Sequence, residues 1–264
     1  MRSAIASAAK ATGIDFAYLT AQASIESRFD TDAKAKTSSA AGLYQFIETT
    51  WADMVGRHGH KIGLQQEAEA IKSGDLSSSD RRKIMDLRFD AGIAARMGAE
   101  FAAENRSFLE SRLGREPSPT DLYMAHFLGP GGAAKFLSAL DSNPDGVAAE
   151  AFPAAAKANH NVFYKRADAL SFQQIHDRFA KKLAARADDL GPAPPEPAGP
   201  IPFDATLVAA AQAPQASSAP RSPVGPGGDA YLSALLTAQM NLNEDLTRVR
   251  AGGPEPTGYD RSLL

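Results

Sequence analysis

The distribution of proline divides the chain into two parts that cannot fold in the same way. Of the 17 prolines, 12 lie after residue 190, beginning with the run GPAPPEPAGPIP. Proline fixes φ and removes a backbone donor, so such a run stays extended and cannot join a packed core. We therefore predict a folded domain over 1–190, a Pro/Gly/Ala-rich linker over 191–228, and a short amphipathic helix with a disordered tail over 229–264.

Within 1–190, apolar residues recur at helical spacing and the alternation typical of strands is almost absent, which predicts an all-α domain. Several helix ends carry their own signals: Gly13 stops one helix before Asp15 caps the next, Ser118 caps a helix that starts with proline, and SFQQ from Ser171 is a capping box. The predicted helices cover 2–11, 16–28, 48–58, 64–73, 81–104, 106–113, 119–128, 132–140, 146–158 and 172–188.

Composition excludes several functions. The predicted domain holds 24 basic and 24 acidic residues, and a neutral domain argues against binding nucleic acid. With no cysteine, disulfides, thiol nucleophiles and soft metal sites are excluded, and we expect no cofactor. The sequence RHGH at 57–60 offers two histidines without a third ligand, and His160 and His176 are isolated, so no metal site is predicted. No window reaches the roughly 18 apolar residues of a membrane span.

The predicted helix 16–28 carries a carboxyl group where an apolar residue is expected. Leu19, Ala23 and Glu26 fall on one stripe, while the opposite side is also apolar, so the helix should be central and Glu26 buried at its last turn. Burial there favours the protonated carboxyl, which can donate a proton near neutral pH. The alternative is a glutamate that faces solvent or pairs with Arg28.

The segment that begins at Glu26 resembles a known family. Glu26 and Ser27 are followed by a polar loop of small residues, TDAKAKTSSAAG, and then by GLYQFIETTW. The pair Glu-Ser, with Gly-Leu-aromatic-Gln starting sixteen residues later at Gly42, is similar to the soluble lytic transglycosylase domain, although Tyr44 replaces the family's methionine. The resemblance implies a lysozyme-like multi-helix fold, similar to goose-type lysozyme, with the catalytic glutamate on its central helix.

A third region agrees in part. The run MAHFLGPGGAAKFL at 124–137 occupies the place of the family's Ala-Tyr-Asn-Ala-Gly motif, with Ala125 and Gly129 matching. His126 then stands where the family has tyrosine, and Tyr164 is another candidate to supply that group. The resemblance covers roughly residues 1–180.

The resemblance implies the chemistry. The substrate would be bacterial peptidoglycan, cut between N-acetylmuramic acid and N-acetylglucosamine, with Glu26 as the single catalytic carboxyl. Serine and threonine hydroxyls would bind sugar oxygens and Gln45 an acetamido group, while Tyr44 and Phe127 could stack on the glycan, although aromatic residues at helical spacing are more often core. Gly42 would allow close backbone approach. The substrate-binding candidates are Ser27, Thr37, Ser38, Ser39, Tyr44, Gln45, His126, Phe127 and Tyr164.

Two alternatives remain open. A muramidase on the same fold would need a second carboxylate to position water, and the nearest in sequence are Asp30, Asp32 and Glu48. A wall-binding scaffold with an inactive cleft is disfavoured because Glu26 and Gln45 are both present.

The tail and the start of the chain bear on where in the cell the protein acts and what it binds there. The stretch 229–250 carries leucines at helical spacing, and an apolar stripe without an internal partner predicts docking onto a component of an envelope-spanning machine such as a flagellum or secretion apparatus. The resemblance implies a periplasmic location. The first residues, MRSAIASAAKATG, lack the apolar run of a secretory signal, so the export route stays open.

Overall fold

The computed structural model describes residues 1–36 and 38–188. The predicted linker over 191–228 and the predicted helix in 229–250 lie outside the described residues. The helices of the described ranges are α1 Arg2–Thr12, α2 Phe16–Ser27, α3 Glu48–His58, α4 Gln65–Ser73, α5 Ser78–Asp86, α6 Ala91–Leu113, α7 Pro119–Ser142, α8 Ala148–Ala151, α9 Pro153–Ala158, α10 His160–Phe163 and α11 Phe172–Asp188. Short 3-10 helices cover Gly59–Ile62 and Leu87–Phe89, and strands β1 Tyr164–Lys165 and β2 Asp168–Ala169 form a small antiparallel hairpin.

Helix α2 is central, as its two apolar faces predict. The Asp15 side chain caps its start by accepting a hydrogen bond from the Tyr18 amide at 2.7 Å, and the helix ends where Arg28 adopts a left-handed φ of 56°. Helices α1, α6 and α11 all pack against α2. The described domain is therefore all-α, built as layers of helices around one buried helix.

The prediction of one helix over 81–104 and a second over 106–113 is wrong. The structure ends α5 at Asp86 and begins α6 at Ala91, because the Asp90 side chain caps α6 by accepting from the Ile93 amide at 2.8 Å. Helix α6 then continues without a break through Asn105, which is buried.

Other helix ends match their signals. Gly13 has φ of 68°, and Ser118 with Asp121 forms a capping box at the start of α7. Ser171 and Gln174 cap each other at the start of α11. A kink at Gly129, with φ of 73°, separates the two halves of α7 that the sequence predicts as separate helices.

The predicted helix 146–158 is in fact broken. The structure divides this region into α8 and α9 with a non-helical Phe152 between them, because the next residue, Pro153, cannot donate the hydrogen bond that would continue α8.

The core links the helices that hold the candidate site. Helix α6 packs on α7, α7 on α11 and α11 on α2, so α2 and α7 are held in place by shared neighbours. Trp51 of α3 is fully buried, and its indole N–H donates to the Ile84 carbonyl at 2.7 Å, which ties α3 to α5. Within residues 1–36 and 38–188, no helix is both long and apolar enough to cross a membrane.

Candidate active site

Glu26 lies in the last turn of α2 with its side chain only 2 % exposed. Its Oε1 is 3.1 Å from Nε2 of His126, which lies on α7 and whose side chain is 13 % exposed. The two residues are 100 positions apart in sequence, and the packing of α7 and α2 through α11 brings them together. The structure thus places His126, the residue in the tyrosine position of the motif, directly against the glutamate.

Two buried tyrosines surround this pair, and the sequence analysis did not single out either. Burial, and after it the negative charge of Glu26, raise the pKa of Tyr18 above the ordinary phenol value, and the same two causes raise the pKa of Tyr123. Tyr123 precedes His126 by one helical turn, and their rings lie 5.9 Å apart. A phenol at i−3 from a motif histidine on a helix shares its face, which is the signal that could have identified Tyr123.

Several polar atoms around the pair have open hydrogen-bonding capacity. The Tyr123 hydroxyl, the His126 Nδ1 and the Gln22 Oε1 are buried and find no hydrogen-bond partner among the described residues. Gln22 lies one turn before Glu26 on α2, so it shares the same face of that helix. Buried polar groups are normally paired, and open ones are typical of sites that complete their bonds with a ligand or water.

The loop after α2 is built around Gln45 and Gly42. Gln45 adopts a left-handed φ of 49°, and its amide nitrogen donates to the carbonyls of Ala33 at 3.1 Å and Gly42 at 2.8 Å. Both amide protons are thereby used, which leaves the Gln45 Oε1 as the group available to a ligand. A Cβ on Gly42 would lie 2.0 Å from the carbonyl oxygen of Arg88, so only glycine fits this close approach.

The serine candidates have backbone partners. The Ser27 hydroxyl donates to the Leu43 carbonyl at 2.9 Å and so joins the end of α2 to the loop. Its proton is therefore used, and its oxygen can only accept a hydrogen bond from a ligand. The Ser38 hydroxyl accepts from the Ala40 amide and that of Ser39 from the Glu48 amide, both at 3.3 Å, so each keeps its proton to donate. Thr37 lies outside the described residues.

Two aromatic candidates do not fit the expected role. Tyr44 is 2 % exposed, its hydroxyl donates to the Leu19 carbonyl at 3.1 Å, and its ring packs against Gly98 of α6. Phe127 is fully buried, with its ring 5.2 Å from that of Phe179. Because both rings are buried, neither can present a stacking face to a glycan in this structure. Helical periodicity alone could not say which apolar positions face the cleft.

Tyr164 and two of the candidate second carboxylates have partners of their own. Tyr164 is half-buried in strand β1, with its ring stacked on that of His160 at 4.4 Å. The Asp30 carboxylate accepts from the Asp32 amide at 2.9 Å in the loop after α2, and Glu48, at the start of α3, lies 3.9 Å from Arg88.

The RHGH segment belongs to an ion-pair network. His58 contacts the carboxylates of Glu104 and Glu100, and Lys61 binds Glu100 at 2.7 Å. Glu100 is buried, and hydrogen bonds and charges of Lys61 and Arg96 lower its pKa against the opposing effect of burial. Across the described residues, no group of three histidine, aspartate or glutamate side chains is placed to hold a metal ion.

Comparison with known proteins bears on the stretch that contains Glu26. Residues 3–73 match the family model described as Transglycosylase SLT domain, and this segment runs from α1 to the end of α4. The match supports lytic transglycosylase activity on peptidoglycan in general. Residues 3–73 are therefore similar to a lytic transglycosylase-type SLT domain, and the all-α architecture is consistent with the lysozyme-like fold of such a domain.

Proposed function

We propose that this protein cleaves the β-1,4 bond between N-acetylmuramic acid and N-acetylglucosamine and forms a 1,6-anhydromuramic acid end. The observation that carries the proposal is the position of Glu26. This carboxyl lies in the segment 3–73 that matches the SLT family, its side chain is 2 % exposed, and it contacts His126 of α7. A carboxyl in such a position can act as a general acid toward a leaving oxygen.

The reaction uses Glu26 twice. Its carboxyl first gives a proton to the bridging oxygen as the bond to the anomeric carbon breaks, and the sugar's own acetamido group stabilises the cationic carbon. The resulting carboxylate then accepts the proton of the C6 hydroxyl as that oxygen bonds to the anomeric carbon. The proton returns to Glu26, the 1,6-anhydro ring closes, and no water is consumed.

His126 is suited to a group that changes its charge during the reaction. Across the 3.1 Å contact, an Nε2 that carries hydrogen can donate to Oε1 of Glu26 throughout, whether the other carboxyl oxygen, Oε2, carries the transferred proton or not. The histidine can thus hold the carboxyl in one orientation through both steps. In this proposal, the Gln45 Oε1 accepts from an acetamido N–H, because both amide protons of Gln45 are already bound to backbone carbonyls.

The alternatives differ in their products. Hydrolysis would need a second carboxylate to position water, for which the sequence offers Asp30, Asp32 and Glu48, whereas transglycosylation needs Glu26 alone. Digesting purified peptidoglycan and weighing the products by mass spectrometry tests the proposal. Anhydro ends are expected, reducing ends would show a muramidase, and the absence of any product would show a wall-binding scaffold.

We also propose where the activity is used. Peptidoglycan as substrate supports a periplasmic location, and the sequence pattern of 229–250 supports docking onto an envelope-spanning machine. Deleting 191–264 should leave cleavage of purified peptidoglycan intact and remove the protein from the complex with which it is isolated from cells. Cellular associations that survive this deletion unchanged would contradict the docking.

A further inference from the structure

A concavity lies along the loop that follows α2. It encloses about 460 Å³ between the loop after α2, at 34–35 and 38–41, and the wall formed by α5 with the 3-10 helix Leu87–Phe89. We call it the cationic groove. Neither Glu26 nor His126 is among the described residues that line it, so it is distinct from the site that holds the glutamate.

The groove concentrates positive charge in a domain whose predicted span is neutral. Its lining contains two carboxylates and four cations, namely Lys34, Arg81, Arg82 and Arg88. Among the described residues, Lys34, Arg81 and Arg82 have no acidic partner, and the Lys34 ammonium instead lies 4.9 Å from the centre of the Phe89 ring. Three cations that face one groove without carboxylate partners can bind an anion without first breaking an ion pair.

Arg88 makes the floor of the groove rigid. Its side chain is 7 % exposed, and its guanidinium donates to the backbone carbonyls of Met85 at 2.9 Å, Ser39 at 2.7 Å and Phe46 at 3.1 Å. These bonds fasten the loop after α2 to the 3-10 helix Leu87–Phe89. The groove is thus held open by the fold before any ligand arrives.

The groove and the candidate active site share this loop. On one side, the loop is joined to α2 by the bond from Ser27 to the Leu43 carbonyl, next to Glu26. On the other side, Ser38 and Ser39 line the groove with hydroxyl protons that remain free to donate. A polymer bound with one sugar at Glu26 therefore has a cationic, hydroxyl-lined surface beside it.

We propose that the cationic groove binds the carboxylates of the peptide attached to muramic acid. This inference rests on the proposed function, because it takes peptidoglycan as the substrate. The glycan backbone of peptidoglycan is uncharged once its lactyl groups carry peptides, whereas those peptides carry free carboxylates. Arginine and serine donors suit carboxylate oxygens, and the methyl groups of Ala40 and Ala41 suit the small apolar side chains of such a peptide.

The test compares two substrates and two charge-reversed variants. Arg81→Glu/Arg82→Glu reverses two exposed groove cations, and Lys157→Glu/Lys165→Glu makes the same change in net charge at exposed positions outside the groove. The substrates are peptidoglycan with its peptides and the same glycan after an amidase has removed them. We expect the groove variant to lose about tenfold in kcat/KM on the peptide-bearing substrate alone, as two lost charge contacts predict. The control variant should match wild type on both.

Each other outcome has a distinct meaning. If wild type cleaves neither substrate, the proposed function fails, whatever the groove binds. If the groove variant cleaves both substrates like wild type, or loses equally on both, the peptide assignment is wrong. Inhibition of wild type, and not of the groove variant, by a polyglycerol phosphate but not by free carboxylated peptide would also overturn it, because the groove would then bind a phosphate polymer.

Discussion

Two carboxyl groups, Asp121 on α7 and Glu26 on α2, are almost equally buried, and their surroundings differ. The Asp121 side chain is 3 % exposed and binds Arg115 at 2.7 Å, His176 at 3.0 Å and the Ser118 amide at 3.0 Å. Glu26 is 2 % exposed and contacts the nitrogen of His126 that faces it, at 3.1 Å. The donors around Asp121 hold it ionised, whereas His126 can either donate to Glu26 or accept from it.

The surroundings of the two acids differ in the same way. The open polar atoms of Tyr123, His126 and Gln22 lie around or on the same helix face as Glu26, whereas the oxygens of Asp121 are matched by donors. Leaving a buried polar group unpaired costs about 1–3 kcal/mol, so a fold keeps such groups together only where something else is gained. The difference supports a stabilising role for Asp121 and agrees with the proposed role of Glu26 in the reaction.

Glu26→Gln is expected to separate activity from stability most strongly. The amide has nearly the shape of the acid but cannot deliver a proton, so cleavage of peptidoglycan should fall at least 100-fold, within the roughly 100- to 10,000-fold typical of general acid catalysis. The melting temperature should change little. Residual activity above about a hundredth of wild type would remove Glu26 from the role of acid.

Asp121→Asn should show the reverse pattern. Its hydrogen bonds to His176 and Arg115 hold the pKa of Asp121 at about 2, below the ordinary 3.8, against the effect of burial. A lowered folded-state pKa contributes stability that is present above pH 3.8 and lost as the pH falls through 2. We therefore expect the variant to lose about 2 kcal/mol of unfolding free energy at pH 7.

The measurement is denaturant unfolding of both proteins across acid pH. The gap between wild type and Asp121→Asn should narrow from about pH 4 downwards, since wild-type Asp121 then becomes protonated. A gap that stays constant down to about pH 2 would mean that the charge of Asp121 does not stabilise the fold.

His126→Ala tests the contact on which the comparison depends. A hydrogen bond to a charged group contributes about 1.5–3 kcal/mol, so losing it should slow cleavage roughly tenfold or more. The fold should persist, because the His126 side chain is partly exposed and ends at the site. An unchanged rate with peptidoglycan would show that the contact has no part in the reaction.

The sequence was sufficient to predict the central helix and its acid. Asp15 and Gly13 are local signals, and the two apolar faces of residues 16–28 predict burial, so short-range rules were enough to place Glu26. The break before α6 was missed because Asp90 is a single cap within a long helical pattern that continues on both sides.

The rest of the site depends on contacts that no local pattern encodes. Tyr123 comes near Glu26 only because α7 and α2 both pack on α11, and Tyr44 is buried because its ring faces Gly98 of α6. Periodicity reports that a position is apolar and shares a face, but which face meets the cleft is decided by packing between distant segments. The cationic groove was missed for the same reason, since RRK at 81–83 looks like a solvated surface until the loop after α2 is seen beside it.

The smallest expected effect concerns two buried tyrosines with different hydroxyl environments. Tyr44→Phe removes a hydroxyl that donates to the Leu19 carbonyl, and should cost about 1 kcal/mol of stability without changing the rate of the folded enzyme. Tyr123→Phe removes a hydroxyl with no partner among the described residues and keeps the ring packed on Phe179, so stability should stay equal or rise slightly. If that hydroxyl is kept for a bond formed beside Glu26 during the reaction, cleavage should slow roughly two- to tenfold, the range of one neutral hydrogen bond. Thermal unfolding and initial rates on the same preparations give both quantities, and a Tyr123→Phe variant that is as unstable as Tyr44→Phe, or as fast as wild type, would show that the open hydroxyl has no functional role.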